Sequence, residues 1–362
     1  MTQPSNDQLL PSMHPRLVVA LKQLAADPNS FTVEQLTECL NLIFQGNGST
    51  AQIAAFLVTL SLTRVDQNPG IIAATAQTLL KYAVPVPIAW DRNTSQKIVD
   101  IVGTGGDGHN TFNVSTSAAI VAAGAGCKVA KHGNRSASSN SGSADMLEAL
   151  GCDLHNFHPE QIGEFLRHHN FCFLFAPRFH PSIGRVAKIR KEVGIRTVFN
   201  VVGPLINPVV PKHVIVGVYT PSLGPIIAQA LMLNGVEHGL VVCGEEGLDE
   251  ISPQGRTFVW QIRDQRITET SVHPSDFGLP TYPLAEVQGV SGTENAKYLQ
   301  RILDGEITES PILDYILMNT SALLVVAGIA RSYREGVTLA RESITSQRAK
   351  QALADFAAFT RP

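Results

Sequence analysis

Apolar positions recur at helical spacing through residues 1–83, and then give way to short apolar runs separated by helical segments. The first stretch carries readable start signals. Thr32 with Gln35 and Ser49 with Gln52 have capping-box spacing, Gly46 ends the helix between them, and Asn68-Pro69 opens the next. Four successive helices with apolar faces make a small bundle. Residues 84–96, VPVPIAWDRNTSQ, lack periodicity and read as a linker. Beyond it, strand-like runs at 97–102, 127–130, 213–219 and 239–243 alternate with helical segments, the pattern of a mainly parallel sheet with crossover helices. RTFVWQIRDQRITETSV reads as an antiparallel pair at a sheet edge, and the chain turns helical again from Thr293. No repeat of 20 to 50 residues breaks this order. The expected class is α/β: a small all-α domain plus a larger α/β domain with a mainly parallel central sheet.

Composition narrows the ligand. The chain has 362 residues, 44% hydrophobic and 16% charged, with 28 Lys plus Arg against 31 Asp plus Glu for a net charge of −3. That balance offers no basic excess for nucleic acid or an anionic membrane, so the ligand should be small. Cys39, Cys127, Cys152, Cys172 and Cys243 are odd in number and have no CxxC spacing, which fits reduced core thiols. The apolar stretches near 118–127 and 322–330 fall short of the roughly 18 residues of a membrane span. MTQPSNDQLLPSMHP resembles neither a signal nor a transit peptide, so a cytoplasmic location is expected.

In an open parallel sheet, loops that follow strands share one edge and bind ligands there. Three such loops carry chemistry: 103–113, 132–142 and 244–251. The first two, inside DIVGTGGDGHNTFNVSTSAAIVAAGAGCKVAKHGNRSASSNSGSADMLEALG, each follow an apolar run and each open a helix. Backbone N–H groups at Gly103, Gly105, Gly106 and Gly108, together with a helix dipole, suit phosphate. The formal GxGxxG lacks the acidic ribose anchor of a dinucleotide site, since the second strand runs into Lys131 and His132, and neither loop ends in the GK[ST] of a P-loop. Asn113, Ser115, Thr116, Lys131, Asn134, Ser138, Ser139, Ser141 and Ser143 supply polar groups without a dinucleotide's acidic anchor.

The third loop sets Asp249 beside Glu250 on the same edge. Mg²⁺ takes one or two carboxylates plus waters and substrate phosphates, and would bridge this pair to a diphosphate; a solvated acidic turn is the other reading, with Glu245 and Glu246 nearby. On a helical projection of 182–194, Arg190 falls inside the apolar stripe of Val186, Ala187, Ile189 and Val193, while Arg185, Lys188 and Lys191 fall outside it. A guanidinium aimed at an apolar face needs an anionic partner, either a substrate carboxylate or an internal salt bridge. Nothing in their spacing separates His132 and His180 from ordinary core histidines.

These residues resemble a known family. GTGGDGHNTFNVSTSAA, VAKHGNRSASSNSGSADMLEALG, HPSIGRVAKIRKEVGIRTVFNVVGPLINP, GLDEIS, ENAKYLQRILDG and EGVTLARESI are similar to motifs of the anthranilate phosphoribosyltransferases of tryptophan biosynthesis. The resemblance implies transfer of 5-phosphoribosyl from phosphoribosyl pyrophosphate (PRPP) to the anthranilate amine, with release of pyrophosphate. It implies a helical domain over 1–94, rejoined by about 178–200 and used for homodimerisation, and a PRPP-binding α/β domain over 95–362. Gly103, Thr104, Gly105, Gly106, Asp107, Asn113, Ser115, Thr116 and Lys131 are implied for PRPP. Ser115, Asp249 and Glu250 are implied for two Mg²⁺ ions. His132, Asn134, His180, Arg190 and Gly203 are implied for anthranilate, and Thr111, Gly133, Ser138, Ser139, Ser143 and Pro204 for substrate binding, with Lys131, Asn134 and Arg190 in catalytic roles. Ser182-Ile183-Gly184 and Arg178 depart from the usual residues at their positions. A pyrimidine nucleoside phosphorylase is disfavoured by KHGNR and the Asp249-Glu250 pair, and a nucleic-acid-binding relative of the same fold by the net charge of −3.

Overall fold

The computed structural model describes residues 13–88, 97–135 and 142–361, so most of the expected linker lies outside the described residues. In chain order the helices of the first part are α1 (Pro15–Ala26), α2 (Val33–Phe44), α3 (Thr50–Leu62) and α4 (Pro69–Lys81). Then come β1 (Ile98–Gly103), α5 (Val114–Gly124), β2 (Lys128–Gly133), α6 (Ser143–Ala149), α7 (Ile162–His168), β3 (Phe171–Phe175), α8 (Ala176–Phe179) and α9 (Ile183–Val193). The remainder comprises β4 (His213–Gly217), α10 (Gly224–Leu233), β5 (His238–Gly244), β6 (Thr257–Arg263), β7 (Arg266–Val272), α11 (Gly292–Leu303), α12 (Pro311–Ala327), α13 (Tyr333–Thr345) and α14 (Arg348–Thr360). Two compact units result, Met1–Ala83 with His180–Ile206, and Val84–Phe179 with Asn207–Pro362.

The first unit is purely helical, and its caps are those the sequence predicts. Thr32 Oγ1 accepts from Gln35 N at 3.3 Å while Gln35 Oε1 accepts from Thr32 N at 2.9 Å. Ser49 and Gln52 repeat the exchange at 3.3 and 3.1 Å. Asn68 Oδ1 accepts from Gly70 N at 2.8 Å, with Pro69 at the first helical position, where its missing N–H costs nothing. Gly46 leaves α2 with φ +90°, a turn that disfavours any Cβ. Helix α9, which lies far along the chain, packs on α3, and Ser61 Oγ donates to Arg196 O at 3.0 Å and Arg185 Nη2 to Gly48 O at 2.7 Å.

The second unit is built on a seven-stranded sheet of order β3-β2-β1-β4-β5-β6-β7. Pairing is parallel from β3 to β5 and antiparallel across β5-β6-β7, so the RTFVWQIRDQRITETSV segment is an edge hairpin as expected. Strand β3 is absent from the sequence reading. Its FCFLF is buried at every position, so it shows no alternation to mark a strand, as in parallel sheets covered on both faces. Helix α5 is buried along its whole length and packs against α12, α13 and α14, which fixes its amino terminus at the carboxyl ends of the strands. All five cysteines are free and buried. Among the described residues no helix is long and apolar enough to cross a membrane; the apolar run at 322–330 belongs mostly to the core helix α12.

At the opposite ends of the strands, His213 and His238 are register partners with rings 6.1 Å apart. Burial, with Lys97 and His238 nearby, lowers His213 from its ordinary 6.5 to about 4. The folded pKa is depressed, so the unfolded chain takes up the proton first and stability falls as pH drops from about 6.5 towards about 4. We expect His213→Asn to flatten this acid limb, recovering on the order of 2 kcal/mol of the stability lost between pH 7 and pH 4.5 in urea unfolding; an unchanged slope would exclude His213 as its source.

Candidate active site

The first loop leaves β1 at Gly103 and is tied to the sheet by Thr104 N, which donates to Gly217 O at 2.9 Å. It turns through Gly105, Gly106 and Gly108 at φ +68°, +81° and +77°, values that exclude most side chains. It ends at Asn113, whose Oδ1 caps α5 by accepting from Thr116 N at 3.3 Å. Ser115 and Thr116 therefore stand in the first turn of a buried helix, where the dipole favours an anion. Gly105 N already donates to an anionic oxygen, Asp249 Oδ2, at 2.7 Å.

Lys131 on β2 is 1% exposed and donates from Nζ to Ile101 O at 2.6 Å and to Ser115 Oγ at 3.2 Å. Burial lowers its pKa, while Asp100, Glu250 and Asp249 oppose that shift. Asp100, fully buried beneath it, accepts from His132 N at 3.2 Å and from Asn207 Nδ2 at 2.9 Å. Desolvation raises its carboxyl to about 6 against the pull of Lys131. Asp100 thus fastens β2 at His132, next to Lys131.

Asp249 and Glu250 are half-buried at the end of β5's loop. Desolvation first, then Asp107, raise Asp249 to about 7, and Asp249 N lies 3.4 Å from Asp107 Oδ2. Glu250 is raised well above the usual range by desolvation and by Asp249, with Lys131 and a hydrogen bond to Ser115 opposing. Three carboxylates crowd one ammonium. Among the described residues no three His, Cys, Asp or Glu side chains close on one point as a finished metal cage. Oxygen donors and excess negative charge fit Mg²⁺, which keeps waters and borrows phosphate oxygens. The close approach depends on glycine: a Cβ at Gly217 would lie 1.5 Å from Asp249 O, and one at Gly103 2.4 Å from Asp249 Oδ2.

The other predicted residues divide between the units. Thr111 forms an isolated bridge with Gln288, and a Cβ at Gly133 would meet Phe173 at 2.7 Å. Asn134 Oδ1 accepts from Arg135 N at 2.7 Å, its carbonyl accepts from Ala144 N at 3.3 Å, and Ser143 opens α6. Ser138, Ser139 and Ser141 lie outside the described residues. The departure at Arg178 is engaged within its own unit, where Nη2 donates to Phe157 O at 2.6 Å and Nη1 to His155 O.

His180, Arg190, Gly203 and Pro204 belong to the helical unit. Val186 and Ile189 are buried, Arg190 is half-buried, and Ala187, expected in the apolar stripe, is exposed. Arg190 Nη2 donates to Asn200 Oδ1 at 3.1 Å, its guanidinium lies 5.5 Å from the Phe199 ring centroid, and its buried Nε has no hydrogen-bond partner. No salt bridge to Arg190 occurs among the described residues, so the internal-salt-bridge reading lacks its carboxylate. Burial lowers His180 to about 4, leaving a neutral imidazole near pH 7. At Gly203, beside buried Pro204, a Cβ would meet no atom within 4 Å. Sequence reasoning missed Asp100, Asn207 and Gly217; the one available signal was the length of the DIVGTGGDG and GPLINP motifs that contain the first two.

The glycosyl transferase family a/b domain matches residues 95–350, and the helical bundle domain of the same family matches 18–83. The chain is 46% identical over 349 residues to an anthranilate phosphoribosyltransferase of Schizosaccharomyces pombe, covering 96% of this chain and 98% of that protein. It is 43% identical to one from Polynucleobacter necessarius, covering 90% and 93%. Among solved structures, anthranilate phosphoribosyltransferase from Saccharomyces cerevisiae in complex with PRPP and Mg superposes with TM-score 0.88 at 37% identity, covering 95% of this chain and 97% of that one. The enzyme from Thermus thermophilus gives 0.86 at 39%, covering 95% and 99%.

Gly217→Ala is expected to push Asp249 out of place, lowering cation affinity at least tenfold and the melting temperature by several degrees. A Mn²⁺ titration and a thermal melt check it, and parental values for both would show that the approach is not needed.

Proposed function

The chain belongs to the anthranilate phosphoribosyltransferase family, and on that premise we propose that it transfers 5-phosphoribosyl from PRPP to the anthranilate amine, releasing pyrophosphate in the tryptophan branch. The observation that supports this reading is the convergence of Gly105, Ser115, Lys131, Asp249 and Glu250 at one edge of the parallel strands.

The diphosphate binds against the amides of 103–108 and the start of α5, with Thr104, Thr111, Asn113, Thr116, Gly133 and the 138–143 serines completing the PRPP contacts. Lys131 places a positive charge beside Ser115, where negative charge builds as the C1–O bond breaks. Asp249, Glu250 and Ser115 hold two Mg²⁺ ions, which neutralise the departing pyrophosphate. No protein nucleophile is required, because an oxocarbenium-like centre is met directly by the amine. Arg190 takes the anthranilate carboxylate through its unpartnered Nε–H and the second N–H of Nη2, the other being given to Asn200. His132, Asn134, Gly203, Pro204 and His180 orient the ring and amine, and a neutral His180 carries no proton to the nucleophile near pH 7. Orientation of the amine supplies the rest of the rate. The reading also takes a cytoplasmic enzyme acting as a homodimer through its helical unit, where Val19 and Leu62 remain exposed.

Anthranilate fluorescence should fall only when PRPP and Mg²⁺ are both present; loss of signal with either absent, or no loss with both, would refute the activity. Arg190→Ala should lower kcat/KM for anthranilate about a hundredfold with the KM for PRPP unchanged, and an unaltered dependence on anthranilate would remove Arg190 from that role. Replacing Asp249 by Asn and Glu250 by Gln together should reduce turnover at least a thousandfold at any Mg²⁺ concentration; full activity would exclude the pair as ligands.

A further inference from the structure

Asn319 sits in the middle of α12, completely buried among the apolar residues of that helix. A primary amide in such a place is expensive unless its donors and acceptor are satisfied. Its Oδ1 accepts from Ile251 N at 3.2 Å, and its Nδ2 donates to Ile251 O at 3.2 Å and to Tyr315 O at 3.1 Å. The side chain therefore pairs with one residue's backbone in both directions, as a neighbouring strand would. That residue, itself 1% exposed, follows Glu250 directly.

The segment it holds has reason to move. Asp249 and Glu250 repel one another and both are poorly hydrated. On the amino side the backbone is fixed where Asp249 meets Gly217, and Gly244 N donates to Leu248 O at 2.8 Å. Beyond Ile251, Ser252 N donates to Thr257 Oγ1 at 2.9 Å. At Ile251 the lateral tie comes from Asn319, across 68 residues of sequence. Tyr315, one turn earlier on the same helix, places its hydroxyl beside Thr111, so one rigid helix backs both the acidic loop and the first loop.

We propose that Asn319 is a positioning residue for the Asp249-Glu250 pair: it fixes the backbone carrying Glu250, so that both carboxylates are presented to a divalent cation despite their repulsion. This rests on the metal role given to the pair above. Free Mn²⁺ measured by paramagnetic resonance during titration of the whole protein reads cation affinity without turnover. Asn319→Ala should raise the Mn²⁺ dissociation constant and the Mg²⁺ half-saturation of turnover about tenfold, while the KM for anthranilate changes less than twofold. Asn319→Leu keeps the side-chain volume among the apolar residues of α12 and loses both bonds to Ile251; it should fold where the alanine variant does not and shift Mn²⁺ affinity in the same direction. Parental Mn²⁺ affinity and Mg²⁺ half-saturation, with only the melting temperature or the active fraction reduced, would make Asn319 a core residue and overturn the proposal. The Asp249→Asn, Glu250→Gln double variant separates the two claims: if it binds Mn²⁺ as tightly as the parent, the metal reading of the pair falls, whatever Asn319 does.

Discussion

Repulsion among carboxylates at the carboxyl end of the sheet is the constraint around which the α/β unit is arranged. Asp107, Asp249 and Glu250 stand close together, and Lys131 is the cation that faces Asp249, Glu250 and the underlying Asp100. Left in water, such a cluster would spread apart. Here it is held by an all-buried helix start at Ser115, by a strand anchored through Asp100 and Asn207, and by glycines that let backbone touch backbone. The raised pKa values of Asp249 and Glu250 express the same unfavourable crowding, which a cation placed among them would relieve.

The hydrogen bond from Gly105 N to Asp249 Oδ2 links two of the three loops. An amide that donates to a carboxylate oxygen at 2.7 Å is oriented for a phosphoryl oxygen as well.

Much of this was legible in the chain itself, for local reasons. The capping boxes at Thr32 and Ser49, the Asn68-Pro69 start and the edge hairpin each depend on residues within a few positions of one another, and each formed as expected. The glycine loop and the Asp249-Glu250 pair were visible because their residue types are unusual for their places. Strand β3 was hidden because complete burial erases alternation. Gly217 was hidden because the backbone it accommodates comes from another loop, and Asn319 because a lone asparagine in an apolar helix has no meaning until Ile251 is known to lie against it.

The helical unit is assembled from two stretches of chain, and that fact governs the order of its birth. Its four leading helices leave the ribosome long before α9, with the first three strands made in between. Until α9 and the residues after it emerge, the surface of α3 that receives them stays uncovered, and Gly48 O and Ser61 Oγ await their partners. Closing so long a loop costs entropy that only later contacts return, so the amino-terminal bundle stays incomplete until residue 206 has been made, although its four leading helices are synthesised first.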